Sequence, residues 1–264
     1  MAAINDITLG QYIPGDSFIY QLDPRTKLIA AILFMTSLLV SLDPVVLMIF
    51  LVLSILIVKY SGLPVKLVFR NLRPFLWLFG LTLFIHMVWT TGQPVVELPG
   101  LVTVTREGIQ LGLIYALRLG LLILFAAVLT LSTSPIELTD ALDVMMSPLK
   151  RLKLPVHEIV LMLTLSLRFI PTLLQEAQRI RNAQISRGAS FEGSLKKKVQ
   201  SIIPIILPLF ISAFRRADEL ALAMDARCYS GGEGRTCYQR LEFAGKDYAV
   251  LLISFLIMIL SIVL

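Results

Sequence analysis

Apolar residues fall along this chain in blocks rather than at alternating positions. From Leu28 to Val40, and again from Val45 to Val58, nearly every residue is apolar, and the only break is Ser41-Leu42-Asp43-Pro44. An acid and a proline in so short a break predict a tight turn between two antiparallel membrane spans. Each block is shorter than the roughly 20 residues of a perpendicular span, so flanking residues are expected to complete both. A third span is predicted over Pro74 to Trp89, with Trp77 and Trp89 near its ends, where indole rings favour the membrane interface. A fourth runs from about Gly108 to Leu131 and a fifth from Tyr248 to Leu264. Arg118 interrupts the fourth, and an intramembrane charge is costly unless paired or snorkelling. Two readings stay open for it: a buried contact to a neighbouring helix or subunit, or a long side chain reaching the headgroups.

The polar stretches orient these blocks. Residues 1–27 hold two turn-rich segments, Tyr12 to Ser17 and Leu22 to Lys27, which predict an irregular or short helical lead-in. Lys59, Lys66, Arg70 and Arg73 stand between the second and third spans without an acid among them, which marks a cytoplasmic loop. The connection from Thr90 to Glu107 has two acids and Arg106 as its one cation, and belongs outside. Residues 134–245 then carry fifteen of the 24 basic residues, so this stretch reads as cytoplasmic or interfacial although it is itself rather apolar. The expected fold is an all-α polytopic membrane protein: a lead-in (1–27), four transmembrane helices (28–133), a helical cytoplasmic domain (134–245) and a last transmembrane helix (246–264). Five spans put the N-terminus inside and the C-terminus outside.

Within the fourth-to-fifth interval the period changes to that of one helical face. Ser134-Pro135-Ile136-Glu137 has the form of a helix start, with Ser134 as N-cap, Pro135 at the first position and Glu137 as the capping-box acid, and the helix is expected to reach about Leu149. Val156, Ile159, Val160, Leu163, Leu167, Ile170 and Leu174 then recur at three and four, and a second series runs from Val199 through Ile202, Ile206, Phe210 and Phe214 to Met224. Glu158, Arg168, Glu176, Arg179 and Arg181 along the first argue for a helix at or beneath the membrane surface rather than a span. Pro204 and Pro208 predict a kink in the second. Both series end on a tripeptide centred on arginine, Ser186-Arg187-Gly188 and, forty positions later, Ala226-Arg227-Cys228. Gly188 and the Ser230 to Gly232 run supply helix-stop residues. A single arginine there would be an ordinary cation facing the negative end of a helix dipole, but the duplication suggests more.

Composition narrows the class. Of 264 residues 56% are hydrophobic and 16% charged, with a mean hydropathy of +0.81, which a soluble domain of this size would not carry. The net charge of +6 does not point to nucleic acid, because the cations follow membrane topology. Met1 to Pro24 lacks the basic leader and apolar core of a cleavable signal. Cys228 and Cys237 have no companion Cys or His at ligand spacing and read as reduced, non-structural thiols, so no metal site is expected. His157-Glu158 resembles the start of a zinc-protease helix, but Leu161 stands where the second His would be. No Gly-rich loop precedes Lys-Ser or Lys-Thr, so the chain is not expected to hydrolyse nucleotide or to need a cofactor. The predicted spans hold no acid, which weakens a self-sufficient secondary carrier, and no paired catalytic set, which weakens a membrane-embedded enzyme. Lys196-Lys197-Lys198 reads as a solvated or headgroup-facing helix start.

Four segments in order, Gly10 to Lys27 (GQYIPGDSFIYQLDPRTK), Leu165 to Pro171 (LSLRFIP), Ala183 to Gly188 (AQISRG) and Arg216 to Tyr229 (RADELALAMDARCY), resemble the transmembrane T component of energy-coupling factor importers, the ATP-driven transporters that take up vitamins and transition-metal ions in prokaryotes. The resemblance spans essentially the whole chain, and its most specific element is the pair of X-Arg-X tripeptides, usually Ala-Arg-Gly. Ser186 and Cys228 depart from that pattern where the family more often has Ala and Gly. The resemblance implies a non-catalytic coupling subunit. Ser186, Arg187, Gly188, Ala226, Arg227 and Cys228 would dock on two cytoplasmic ATP-binding cassette ATPases. Ile202, Ile206 and Phe210 would contact the membrane-embedded substrate-binding S component.

Overall fold

The computed structural model describes residues 12–41, 43–98, 102–152, 155–189, 194–231 and 241–263. Met1 to Gln11, of which Gly10 and Gln11 open the first resembling segment, and Gly232, Cys237 and Leu264 lie outside the described residues, as do the side chains of Lys196, Lys197 and Lys198. The elements are α1 (Pro24–Val40), α2 (Pro44–Ser61), α3 (Val65–Leu72), α4 (Leu76–Trp89), β1 (Pro94–Leu98), β2 (Val102–Thr105), α5 (Arg106–Ser132), α6 (Pro135–Met146), α7 (Val156–Ser186), α8 (Leu195–Asp225) and α9 (Gly245–Val263). They form two compact units, residues 1–141 with 241–264, and residues 142–240.

Among the described residues the fold is all-α apart from one antiparallel hairpin, β1 with β2, in the connection from Thr90 to Glu107. The five expected spans correspond to α1, α2, α4, α5 and α9. Among the described residues six helical runs could cross a membrane by length and composition: Pro44–Ser61, Val65–Trp89, Arg106–Ser132, Val156–Ser186, Gln200–Asp225 and Gly245–Val263. The count therefore differs from five. α1 has only 17 residues, while α7 and α8 qualify because long apolar runs separate their charges. α4 ends on Trp89 and starts beside Trp77, both well exposed as interfacial anchors would be. The helix expected from 134 to about 149 ends at Met146, and a 3-10 turn, Ser147–Leu152, with Pro148 near its start, takes over. Its start is as expected: Ser134 Oγ accepts from Glu137 N and Glu137 Oε2 from Ser134 N, both at 3.2 Å. α8 runs without a break through Pro204 and Pro208.

In the first unit, Phe34 of α1, Phe50 of α2 and Phe125 of α5 meet with ring centroids 5.3–5.9 Å apart, at the centre of a core that includes Leu38, Leu47 and Leu121. α4 and α5 pack closely because Gly108 and Gly112 carry no side chain; a Cβ on Gly108 would lie 2.5 Å from the His86 carbonyl oxygen. α1 and α9 run parallel with a constant offset. Asp23 N donates to Asp247 Oδ1 at 2.9 Å, Ser37 Oγ donates to Ser261 Oγ, and Ala30 and Ser254 are buried between, so each pair is 224 positions apart. Small residues seven apart let two backbones approach where hydrocarbon offers no hydrophobic drive.

The end of the polar lead-in, Leu22 to Lys27, is buried, and the described residues before it are tied to helix ends. Ile13 N donates to Leu131 O (3.1 Å), Ser17 Oγ to Ser61 O (2.6 Å) and Lys27 Nζ to Ser132 O (3.2 Å). These acceptors are the last carbonyls of α2 and α5, which have no partner within their own helices. Asp23 caps α1 by accepting from Arg25 N, and pairs with the Arg25 side chain at 2.7 Å, while that guanidinium lies 4.0 Å from the Phe243 ring centroid. Arg118 takes the first of its two readings: it is buried and its Nε donates to the Leu38 carbonyl oxygen in the last turn of α1. Cations from each helix thus meet the other's C-terminal carbonyls, Lys27 of α1 at α5 and Arg118 of α5 at α1.

Candidate coupling surface

The second unit is built on α7 and α8, each 31 residues, which pack against each other. A groove of about 590 Å³ is lined by Leu161, Leu165 and Arg168 of α7, by Leu220 and Met224 of α8, and by the residues that follow α8 from Arg227 to Gly231. The end of α8 therefore lies beside the first half of α7, and the two helices run antiparallel. Arg187 closes α7 at the other end, so the two arginines are separated by about 30 Å along α7.

Both helices stop in the same way. Gly188 N donates to Ile185 O at 2.9 Å and Ala189 N to Gln184 O at 3.0 Å; Cys228 N donates to Asp225 O at 2.8 Å and Tyr229 N to Met224 O at 3.1 Å. These are the paired bonds of a Schellman cap, with the left-handed residue at Gly188 (φ 89°) in one and Cys228 (φ 53°) in the other. Gly231 is also left-handed (φ 102°), but three residues too late to close α8. Each arginine immediately precedes its left-handed residue, where the chain turns off the helix axis. All six residues, Ser186, Arg187, Gly188, Ala226, Arg227 and Cys228, are exposed. A planar guanidinium with five donors, projected at a helix end, is suited to carboxylates and carbonyls of another surface.

Ile202, Ile206 and Phe210 are half-exposed on α8, at 45%, 55% and 59%, and belong to a longer apolar surface with Ile203, Leu207 and Phe214. Phe210 and Phe214 stack edge to face at 4.6 Å. No described residue of α8 is buried, so this helix presents apolar surface on a scale that monomeric soluble proteins avoid. Sequence reasoning did not place Arg168 in the Arg227 groove, because the spacing of 59 residues carries no local signal. Among the described residues no group of three or more His, Cys, Asp and Glu is placed to hold a metal ion.

The chain is 47% identical over 248 residues to the energy-coupling factor transporter transmembrane protein EcfT of Acidaminococcus fermentans, spanning 92% of this chain and 91% of that relative. It is 49% identical to the EcfT protein of Heliobacterium modesticaldum, over 94% of this chain and 93% of the relative, and 41% identical to that of Bacillus subtilis, over 94% of each. The chain belongs to the EcfT family. A profile described as cobalt transport protein, CbiQ, matches residues 15–238 of this EcfT-family chain. It is thus a multi-pass transmembrane component of an energy-coupling factor transporter. The two arginine tripeptides of this chain stand on matched caps.

Proposed function

We propose that the chain is the energy-coupling scaffold of an ATP-driven importer of vitamins or related micronutrients. In this reading it joins two cytoplasmic ATP-binding cassette ATPases to a substrate-binding S component and has no catalytic centre of its own. The observation that carries the reading is the pair of identically capped, exposed arginine ends at opposite ends of one antiparallel helix pair. Two such ends suit two copies or relatives of one partner, and their separation makes α7 and α8 levers. When the ATPases close on ATP, the docked ends move relative to one another and rigid helices carry that motion along their length. The apolar surface through Ile202, Ile206 and Phe210 is then the contact for a membrane-embedded S component, because its exposed groups match a hydrophobic partner. The cation-rich Lys59 to Arg73 segment favours an N-terminus on the cytoplasmic side, and four spans before α9 leave the C-terminus outside. Residues 134–245 serve as the coupling domain in this arrangement.

Reconstitution tests the reading. Liposomes with the chain, both ATPases and an S component are expected to accumulate that component's substrate only with ATP, and liposomes with the chain alone to accumulate none. Uptake by the chain alone would show a self-sufficient carrier and overturn the scaffold role.

A further inference from the structure

A cavity of about 410 Å³ opens within the first unit between α1, α2, α5 and α9. Ala30, Ala31 and Phe34 of α1 with Phe125 of α5 form its buried wall, while Leu56 and Tyr60 of α2 and Ile253 of α9 stand at its exposed side. The buried polar groups of Lys27 and Ser254 in the lining are already engaged. Lys27 Nζ donates to the Tyr20 and Ser132 carbonyl oxygens, and Ser254 Oγ donates to Val250 O. Such a wall asks for no water and takes an apolar occupant.

Position names the occupant. The open side is made by α2 and α9, both long and apolar enough to cross a membrane, so the medium against it is hydrocarbon. From Lys27 to Phe34 the cavity extends about 10 Å along α1, from the helix start inward. At that same end, besides the buried Arg25 and Lys27, lie two further cations: Lys59, exposed in the turn that holds Tyr60, and Lys246, one turn before Val250, whose Nζ donates to Gln21 Oε1 at 3.3 Å. Lysines at the ends of spans stand at headgroup level, where phosphate is.

We propose that this cavity is a phospholipid site, taking one acyl chain between α2 and α9 with the lipid phosphate at the level of Lys59 and Lys246. The lipid would complete the packing of α9 beside α2, which the protein itself leaves open.

The test uses the full chain in vesicles of phosphatidylglycerol bearing a photoreactive diazirine on its acyl chain, with labelled positions mapped after digestion. Label is expected to concentrate on Leu53, Ile57 and Val250, which line the cavity, over Val52 and Leu256, which face outward. It should fall about tenfold in Leu56→Trp and, independently, in Ile253→Trp, each plugging the mouth from an exposed position, and stay unchanged in the outward Val52→Trp. Only variants that elute and give circular dichroism like the wild type are compared. Equal labelling of inward and outward positions, with no effect of either plug, would mean boundary lipid only and overturn the site. Label lost from the lining once ATPases and S component are assembled would mean that protein fills the cavity, and would overturn it too. Unchanged labelling in Lys59→Gln with Lys246→Gln would contradict the phosphate placement.

Discussion

Cys228 holds the backbone place in α8 that Gly188 holds in α7. Both have positive φ, 53° and 89°, and both donate to the carbonyl three residues back. Glycine adopts this conformation without cost, whereas a residue with a Cβ is strained there by about 1–2 kcal/mol. Cys228→Gly should therefore stabilise the end of α8 by about 1 kcal/mol, read as slower hydrogen exchange of the Tyr229 amide, which closes the cap. Gly188→Ala should do the reverse at the Ala189 amide. The space around Gly188 is open, so the loss there would be conformational rather than steric.

Arg118 should be structural. Removing its side chain in Arg118→Ala leaves the Leu38 carbonyl without its charged donor, which costs about 1.5–3 kcal/mol. The variant should lose thermal stability in detergent, and Arg118→Lys should recover part of it because a cation returns to the end of α1. Stability unchanged in Arg118→Ala would contradict the contact.

The parallel register of α1 and α9 predicts which cysteine pairs can be joined. Ser37→Cys with Ser261→Cys, and Ala30→Cys with Ser254→Cys, should cross-link on mild oxidation in a chain whose native Cys228 and Cys237 are changed to serine. Ser37→Cys with Ser254→Cys is seven residues, about 10 Å, out of register and should not. Cross-linking of that displaced pair in preference to the others would mean that the two helices are aligned otherwise.

Much of this architecture is legible in sequence because membrane spans, caps and glycine stops are local signals. Ser134, Pro135 and Glu137 lie within four residues and form the capping box that their order predicts. Gly188 ends α7 as a glycine should. The Ser230 to Gly232 run expected to stop α8 begins beyond the left-handed residue that does so, since no local rule assigns positive φ to Cys228 when glycines follow so closely. What lay out of reach is held by long-range contacts. The bonds from Ile13, Ser17 and Lys27 to the ends of α2 and α5 join residues 44 to 118 positions apart, so the lead-in looks irregular until those ends are in place. The 224-residue offset between α1 and α9 is equally invisible, although the heptad spacing of Asp247, Ser254 and Ser261 is a faint sign of a close helix seam. At the coupling surface the two arginines stood out by their repeated context, whereas Arg168 became visible only through the groove it shares with Arg227.

In the proposed function Arg187 and Arg227 each hold one ATPase, and capture of ATPases by the tagged chain from its native membrane tests this most directly. Losing one interfacial guanidinium should cost about 2–5 kcal/mol of docking. The wild-type chain should therefore retain two ATPase subunits and one or more small hydrophobic proteins, each single variant, Arg187→Glu or Arg227→Glu, should lose ATPase, and the double variant should retain none. Undiminished ATPase recovery with the double variant, folded and inserted as the wild type, would contradict the account.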